Sequence, residues 1–318
     1  MSSRLTVIVP ALRGYDAVSA AIAAWEAQHD RDALEVLVMC PAHTALPEAP
    51  PAWLTVVQVP SDDLHDLRAE GVRRARAGYV MVAEDHCLPD PDWATAILSR
   101  LDEGWDGIGS VLRPGRRDSA WPEGAFLLGY GEWMGRREAG EVAVLCGWNG
   151  TLRRERLLAM GEGLERELVV GAFMIRRLRR EGARFLLESR ARMRHFDYAL
   201  AGIGCWQLLL VGAGFGALRT RGWPLPARAL YPLLAPAVAA AHWKRALVHY
   251  LRAGRAMAMT PWAVATAGVL AICWGAGEAV GAWLGVTRVA PWQRIEVKPP
   301  TLEAVAALAR WEGGRAGG

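Results

Sequence analysis

Three consecutive side chains, Glu84, Asp85 and His86, offer two carboxylates and an imidazole without a break. Oxygen donors with one nitrogen suit a hard divalent cation such as Mn²⁺ or Mg²⁺. A cation held there can bridge two phosphates and stabilise a departing nucleoside diphosphate, the Lewis-acid role of a catalytic ion. Three such residues in a row also make an ordinary solvated turn, so their setting decides what they mean. They follow the apolar run Tyr79 to Ala83, which reads as a buried strand, and precede Pro89-Asp-Pro-Asp-Trp93, a proline-marked turn that opens a helix. A buried strand has no structural need for these residues at its C-terminal end, where ligands sit in open α/β sheets. The placement predicts a site.

The elements that must position this turn alternate between strand and helix signals. Leu5 to Val9 is ended by Pro10, Leu34 to Cys40 by Pro41, and Leu54 to Val59 by Pro60. Ala17, Val18, Ala21, Ile22 and Trp25 recur at helical spacing, and Leu64, Leu67 and Val72 mark a helix leading into the fourth strand. Strands separated by helices imply right-handed crossovers and a mostly parallel sheet. Arg113 to Glu141 reads as loop, with a short helix around Phe126 to Met134. A late strand is expected at Val142 to Leu145, then helices through Arg180 and a final strand at Arg184 to Glu188.

At 318 residues there is room for one large domain or two modest ones. The net charge of +4 carries no basic patch interleaved with aromatics, so a nucleic-acid partner is not expected. Cys40, Cys87, Cys146, Cys205 and Cys273 are odd in number and lack C-x-x-C spacing. That argues against a disulfide framework or zinc cage and for a reducing compartment. Leu5 to Pro10 is too short for a signal-peptide core.

After His195 the character changes. Ala199 to Leu218 is twenty residues with Gln207 as the one strongly polar member, long enough to cross a bilayer. Trp223 to Trp243 is apolar but broken by Pro224, Pro226, Pro232 and Pro236, and Pro261 to Gly285 carries Glu278 as its single charge. The most basic short loop, His242 to Arg255, belongs on the cytoplasmic side by the positive-inside bias. The expected organisation is a catalytic domain over 1–197, membrane-associated helices over 198–287 and a polar tail over 288–318. In that tail Leu302, Val305, Leu308 and Ala309 mark a short amphipathic helix. A helical core packed on the catalytic lobe, or an in-plane segment with a re-entrant hairpin, are the alternatives. The number of crossings stays open because Arg219, Arg221 and Arg228 make the other loop basic too.

Residues 5 to about 195 resemble a family 2 glycosyltransferase of the GT-A fold. Leu5-Thr-Val-Ile-Val-Pro10 is similar to the family's first strand, and Leu67-Arg-Ala-Glu-Gly71 stands where the family has Ala-Arg-Asn-x-Gly. Glu84-Asp85-His86 stands at the Asp-x-Asp signature, followed by the Pro-x-Pro-x-Trp pattern. Gly147-Trp-Asn149-Gly-Thr-Leu-Arg-Arg154 is similar to the segment beneath the donor sugar. The resemblance implies a Rossmann-like α/β fold and an inverting transferase using a nucleotide-diphosphate sugar. On it, Pro10, Arg68, Gly71, Glu84, Asp85 and Asn149 contact the donor, and Glu84, Asp85 and His86 hold the metal. His195, just after the last expected strand, resembles a late histidine that some GT-A enzymes add to that metal site; a lone histidine is also often structural.

Two positions depart from the family. Met39-Cys40-Pro41-Ala42 replaces the acids that normally read the base or ribose. Val170-Gly171 replaces the acidic pair that normally supplies the catalytic base. An inverting displacement needs a carboxylate near the acceptor hydroxyl. The nearest upstream, Glu165 and Glu167, are the candidates, unless they merely favour a helix N-terminus. Trp274-Gly-Ala-Gly-Glu278 resembles a segment of members with membrane tails; its buried acid would pair with an arginine or face a lipid-carried acceptor.

The sequence therefore leads to a membrane-attached inverting glycosyltransferase, its catalytic domain facing the cytoplasm. It would move sugar to a glycan or lipid-linked acceptor in cell-envelope or exopolysaccharide synthesis. The alternative is a catalytically degenerate GT-A-like scaffold acting as a membrane partner subunit. A nucleotidyltransferase is disfavoured, because no Gly-rich, lysine-containing phosphate loop follows the first strand.

Overall fold

The proline-ended apolar runs become neighbouring strands in the computed structural model of the chain, which describes residues 3–135, 138–197 and 201–289. In chain order the elements are β1 (Leu5–Pro10), α1 (Ser19–Glu26), β2 (Leu34–Pro41), β3 (Leu54–Val59), α2 (Leu64–Arg74), β4 (Tyr79–Val82), β5 (Cys87–Pro89) and α3 (Trp93–Leu98). Then come β6 (Gly107–Pro114), α4 (Ala120–Tyr130), β7 (Gly140–Val142), β8 (Thr151–Arg153), α5 (Arg154–Leu158), α6 (Leu164–Glu167), α7 (Gly171–Arg180) and β9 (Phe185–His195). The remainder is helical: α8 (Ala201–Arg219), α9 (Leu225–Leu230), α10 (Ala235–His249), α11 (Trp262–Leu284) and α12 (Val286–Val289).

The strands form one mixed sheet in the order β3-β2-β1-β4-β8-β6-β9-β5, with β7 on β9. From β3 to β4 every pairing is parallel. Beyond β4 the direction changes: β8 runs antiparallel to both β4 and β6, and β7 antiparallel to β9. The fold is α/β, and the parallel character expected of most of the sheet belongs to its first four strands. The expected helix near Phe126 begins earlier, at Ala120; the late strand is Gly140–Val142; and the last strand runs on to His195. The amphipathic helix expected around Leu302 to Ala309 lies outside the described residues.

The described residues fall into two compact units. The first comprises those up to Arg113 and from 138 to Arg194; the second comprises Pro114–Gly135 and those from His195 onward. In the first, Trp25 and Trp93 meet edge to face at 5.1 Å and are fully buried with Leu5, Ile8, Met39 and Met81. Helix α2 lies so close to the sheet that a Cβ on Gly71 would overlap Ile8, which accounts for glycine at that point.

In the second unit, α8 and α11 touch backbone to backbone. Added Cβ atoms at Gly212 and Gly216 would strike the carbonyls of Trp274 and Glu278, and at Gly277 and Gly281 those of Leu209 and Ala213. Two small-x-x-x-small pairs thus face each other, the packing by which helices approach closely in a bilayer. By length and composition Gly202–Arg219 and Trp262–Leu284 are long and apolar enough to cross a membrane. The proline-broken run becomes α9, a short turn and α10, with prolines in the first turns, where a missing N–H costs nothing. Glu278 is fully buried and accounted for. Tyr231 donates to it at 2.5 Å and Trp274 at 2.9 Å, while Arg219 lies at 3.3 Å and His242 at 3.8 Å.

Candidate functional site

The order β3-β2-β1-β4 means that the sheet grows one way from β1 and then starts again on its other side at β4. In open α/β sheets such a reversal opens a crevice at the strands' carboxyl ends, and ligands bind there. The pairing runs past the end of β4, since the Ala83 amide donates to the Ile8 carbonyl at 2.8 Å, and β1 continues two residues further, to Pro10. The segments beyond them meet: Arg13, after β1, reaches the Asp85 carboxylate at 3.3 Å. Pro10 is the last residue of β1, and Gly71 is the contact that seats α2 behind it.

Asn149 fixes Glu84. Its backbone amide donates to the Val82 carbonyl at 2.9 Å. Its side-chain oxygen accepts from the Glu84 amide at 2.9 Å, and its side-chain nitrogen donates to the Glu84 carboxylate at 2.6 Å. To do this Asn149 adopts φ 60°, the left-handed region that asparagine tolerates better than other non-glycine residues, and it is fully buried. The end of β4 and the carboxylate beyond it are thus held by one residue, 65 positions after Glu84.

Asp85 lies between a base and a ring. One carboxylate oxygen faces Arg13, and the other sits 2.7 Å from His86 Nδ1. A carboxylate on one imidazole nitrogen sets the tautomer and turns the other nitrogen into the coordinating atom, the usual outer-shell arrangement of a metal-binding histidine. A carboxylate oxygen of Glu84 and a ring nitrogen of His86 lie within 4.8 Å of each other, so those two are placed to share a cation. Hard oxygen plus imidazole nitrogen fits Mn²⁺ or Mg²⁺.

Arg68 does not stand open to solvent. It is buried, its guanidinium lies 3.8 Å over the Trp148 ring, and it donates to the Leu168 carbonyl at 3.4 Å. It therefore braces the residue next to Asn149. His65, one turn earlier on α2, is also buried; burial and the nearby Arg68 charge push its imidazole down to about 4. Behind Trp148, Gly147 meets Gly171 so closely that a Cβ on either would overlap the other's backbone. Gly171 thus has a packing role.

Glu165 and Glu167 lie on α6 in ion pairs, with Arg73 at 2.6 Å and Arg177 at 2.9 Å. Burial raises the Glu165 carboxyl, but its own backbone amide and Arg73 together hold it below its ordinary value. Cys40, near the end of β2, is buried, and burial lifts its thiol to about 11. His195 is the last residue of β9. Within the second unit its ring lies 3.9 Å from that of Tyr130, and its carbonyl accepts from Gly115 at 2.7 Å.

Arg13, His65 and Trp148 join this neighbourhood without having been singled out by sequence. Arg13 had a signal, as a cation directly after a proline-ended strand. Comparison with protein-family models and with curated proteins gives no match.

Proposed function

We propose that the chain is a membrane-attached, metal-dependent glycosyltransferase of the GT-A type that inverts the configuration of the transferred sugar. The observation that carries this reading is the Asn149 clamp, which fixes a carboxylate at the strand reversal where α/β sheets bind nucleotides. Glu84 and His86 would hold the divalent cation, whose charge would offset that building on the departing nucleoside diphosphate. Asp85 acts through its neighbours, holding the His86 ring and keeping Arg13 at the crevice, where the guanidinium can take a phosphate oxygen.

In the reaction the acceptor hydroxyl oxygen bonds to the anomeric carbon as the bond from that carbon to the diphosphate oxygen breaks. The proton goes to a carboxylate. Glu165 and Glu167 are the candidates; we take Glu167 first, because its ion pair with Arg177 at 2.9 Å is longer than that of Glu165 with Arg73 at 2.6 Å.

Membrane attachment is supported by where large apolar side chains are exposed. Trp206, Leu225, Leu230, Leu233, Trp262, Ile272 and Trp283 are each more than half exposed, and all lie in the second unit. Trp262 and Trp283 mark the two ends of α11, 21 residues or roughly 31 Å apart, close to the hydrocarbon thickness of a bilayer. By the positive-inside bias the basic stretch that includes Lys244 and Arg245 lies on the cytoplasmic side, and the transfer reaction is cytoplasmic. The acceptor is a glycan or a lipid-linked saccharide.

Membranes containing the protein, incubated with labelled UDP-, GDP-, CDP- or dTDP-sugars, test the proposal. Label should pass from one donor into a lipid or glycan fraction, and Glu84→Gln or His86→Ala should abolish transfer. Nucleotide binding without transfer from any donor would favour the scaffold reading, to which the ion-paired Glu165 and Glu167 also lend support.

A further inference from the structure

Helices α10 and α11 leave an apolar groove of about 570 Å³ between them, lined by Ala239, Ala240 and Trp243 on one side and Ala265, Gly268 and Ala276 on the other. The helices run antiparallel. Trp243 Nε1 donates to the Val264 carbonyl at 2.9 Å, while at the far end a Cβ on Gly275 would come within 2.7 Å of the Ala235 carbonyl. From Ala265 to Ala276 the groove therefore follows α11 for roughly 17 Å, about half of a ~30 Å hydrocarbon layer. It is one leaflet long.

Its two ends differ. At the Trp243 end stand exposed Trp262, Lys244 and Arg245, with an Arg245 guanidinium nitrogen 2.6 Å from His242 Nδ1. Tryptophan beside lysine and arginine is the composition of the headgroup level. At the Ala276 end the lining is small and apolar. A groove of this kind at bilayer depth cannot be filled by water, which lacks polar partners there, and left void it forfeits dispersion contacts along its length. Trp243 and Ile272 line the groove and are exposed, and its volume of about 570 Å³ has room for one flexible chain, whereas a second helix is about 10 Å across.

We propose that this groove binds one phospholipid of the leaflet on the Lys244 side, with an acyl chain along α10 and α11 and an anionic headgroup on Lys244 and Arg245. The inference rests on the membrane reading of the second unit and is independent of the transferase reading. The test is native mass spectrometry of the full chain released from detergent, with phosphatidylglycerol, phosphatidylcholine or an isoprenoid phosphate added. Wild type should retain one phosphatidylglycerol, at least tenfold more than phosphatidylcholine. Ala240→Trp and Ala276→Trp, both at exposed positions, should lower retention about tenfold without changing the melting temperature in detergent alone. Lys244→Gln with Arg245→Gln should erase the preference for the anionic lipid. Equal retention by the tryptophan variants, preferential retention of the isoprenoid phosphate, or a dimer that excludes lipid would each overturn the proposal. Membrane fractionation separates the two failures: a chain recovered entirely without membrane overturns the membrane reading itself.

Discussion

Asn149 grips Glu84 at both ends, taking the backbone N–H of that residue on its amide oxygen and giving its amide nitrogen to the carboxylate. A strand end is mobile when nothing caps it. Here the loop that follows β7 caps it and aims a carboxylate in the same act. The left-handed backbone at Asn149 is the conformational cost of that aim.

Replacing Asn149 separates the two contributions. Asn149→Ala loses both hydrogen bonds and keeps the strained backbone, and should destabilise the first unit by about 2–4 kcal/mol. Asn149→Gly loses the same bonds but relieves the backbone. It should melt measurably higher than the alanine variant in a thermal scan, yet bind a nucleoside diphosphate no better. Equal binding by Asn149→Gly and wild type would mean that the clamp does not serve a ligand.

Asp85 and His86 should differ in kind. As an outer-shell residue, Asp85→Asn should weaken Mn²⁺ binding by about 10–100-fold, with partial recovery in Asp85→Glu. Loss of a ligand in His86→Ala should cost more. Titration of Mn²⁺ by electron paramagnetic resonance reads both; a larger loss at Asp85 than at His86 would make Asp85 the ligand.

The two glutamates of α6 are also separable. Glu167→Gln should lower the transfer rate at least a hundredfold with donor binding unchanged, whereas Glu165→Gln should change it less than fivefold. The reverse order would move the base to Glu165. Full activity in both would place the proton acceptor elsewhere.

Glu188, fully buried in β9, gives a pH prediction. Burial alone would raise its carboxyl, but hydrogen bonds from Arg190 and from Arg100 at 2.5 Å outweigh that and hold it at about 2. Its folded value is depressed from an ordinary 4.5, so its contribution is complete above pH 4.5 and is lost as the pH falls from there toward 2. The loss should approach about 3 kcal/mol. Urea midpoints at pH 6 and pH 3 should therefore differ more for wild type than for Glu188→Gln.

In the second unit, Gly216→Leu or Gly281→Leu forces a side chain into the opposing backbone and should separate α8 from α11. A cysteine crosslink between the two helices that forms in wild type should then fail. Persistence of the crosslink would show that the helices can repack around leucine.

The parallel half of the sheet was legible because each strand is a run of apolar residues closed by proline or, at β4, by charge. Strands β5 and β8 have three residues each, too few for periodicity to register, and so the antiparallel half was not legible. At the site, the acid-acid-histidine run announced itself, but the division of labour within it did not. Whether Asp85 ligates or orients depends on Arg13, 72 positions away, and spacing along the chain cannot express that contact. The resemblance makes Arg68 a donor contact; its stacking on Trp148 is an arrangement that only tertiary structure reveals. The buried acid at Glu278 was visible as an anomaly, whereas three of its four partners, Tyr231, Arg219 and His242, come from three other segments.

The most direct measurement is a thermal-shift series on the detergent-purified chain with UDP, GDP, CDP and dTDP, each with and without Mn²⁺. A ligand that binds only the folded state raises its stability by mass action, by about 2.7 kcal/mol at a hundredfold excess over Kd. The account predicts that one diphosphate raises the melting temperature only when Mn²⁺ is present, and that Glu84→Gln, His86→Ala and Asn149→Gly each remove the shift. No shift with any diphosphate, or one indifferent to Mn²⁺ and to those substitutions, would contradict it.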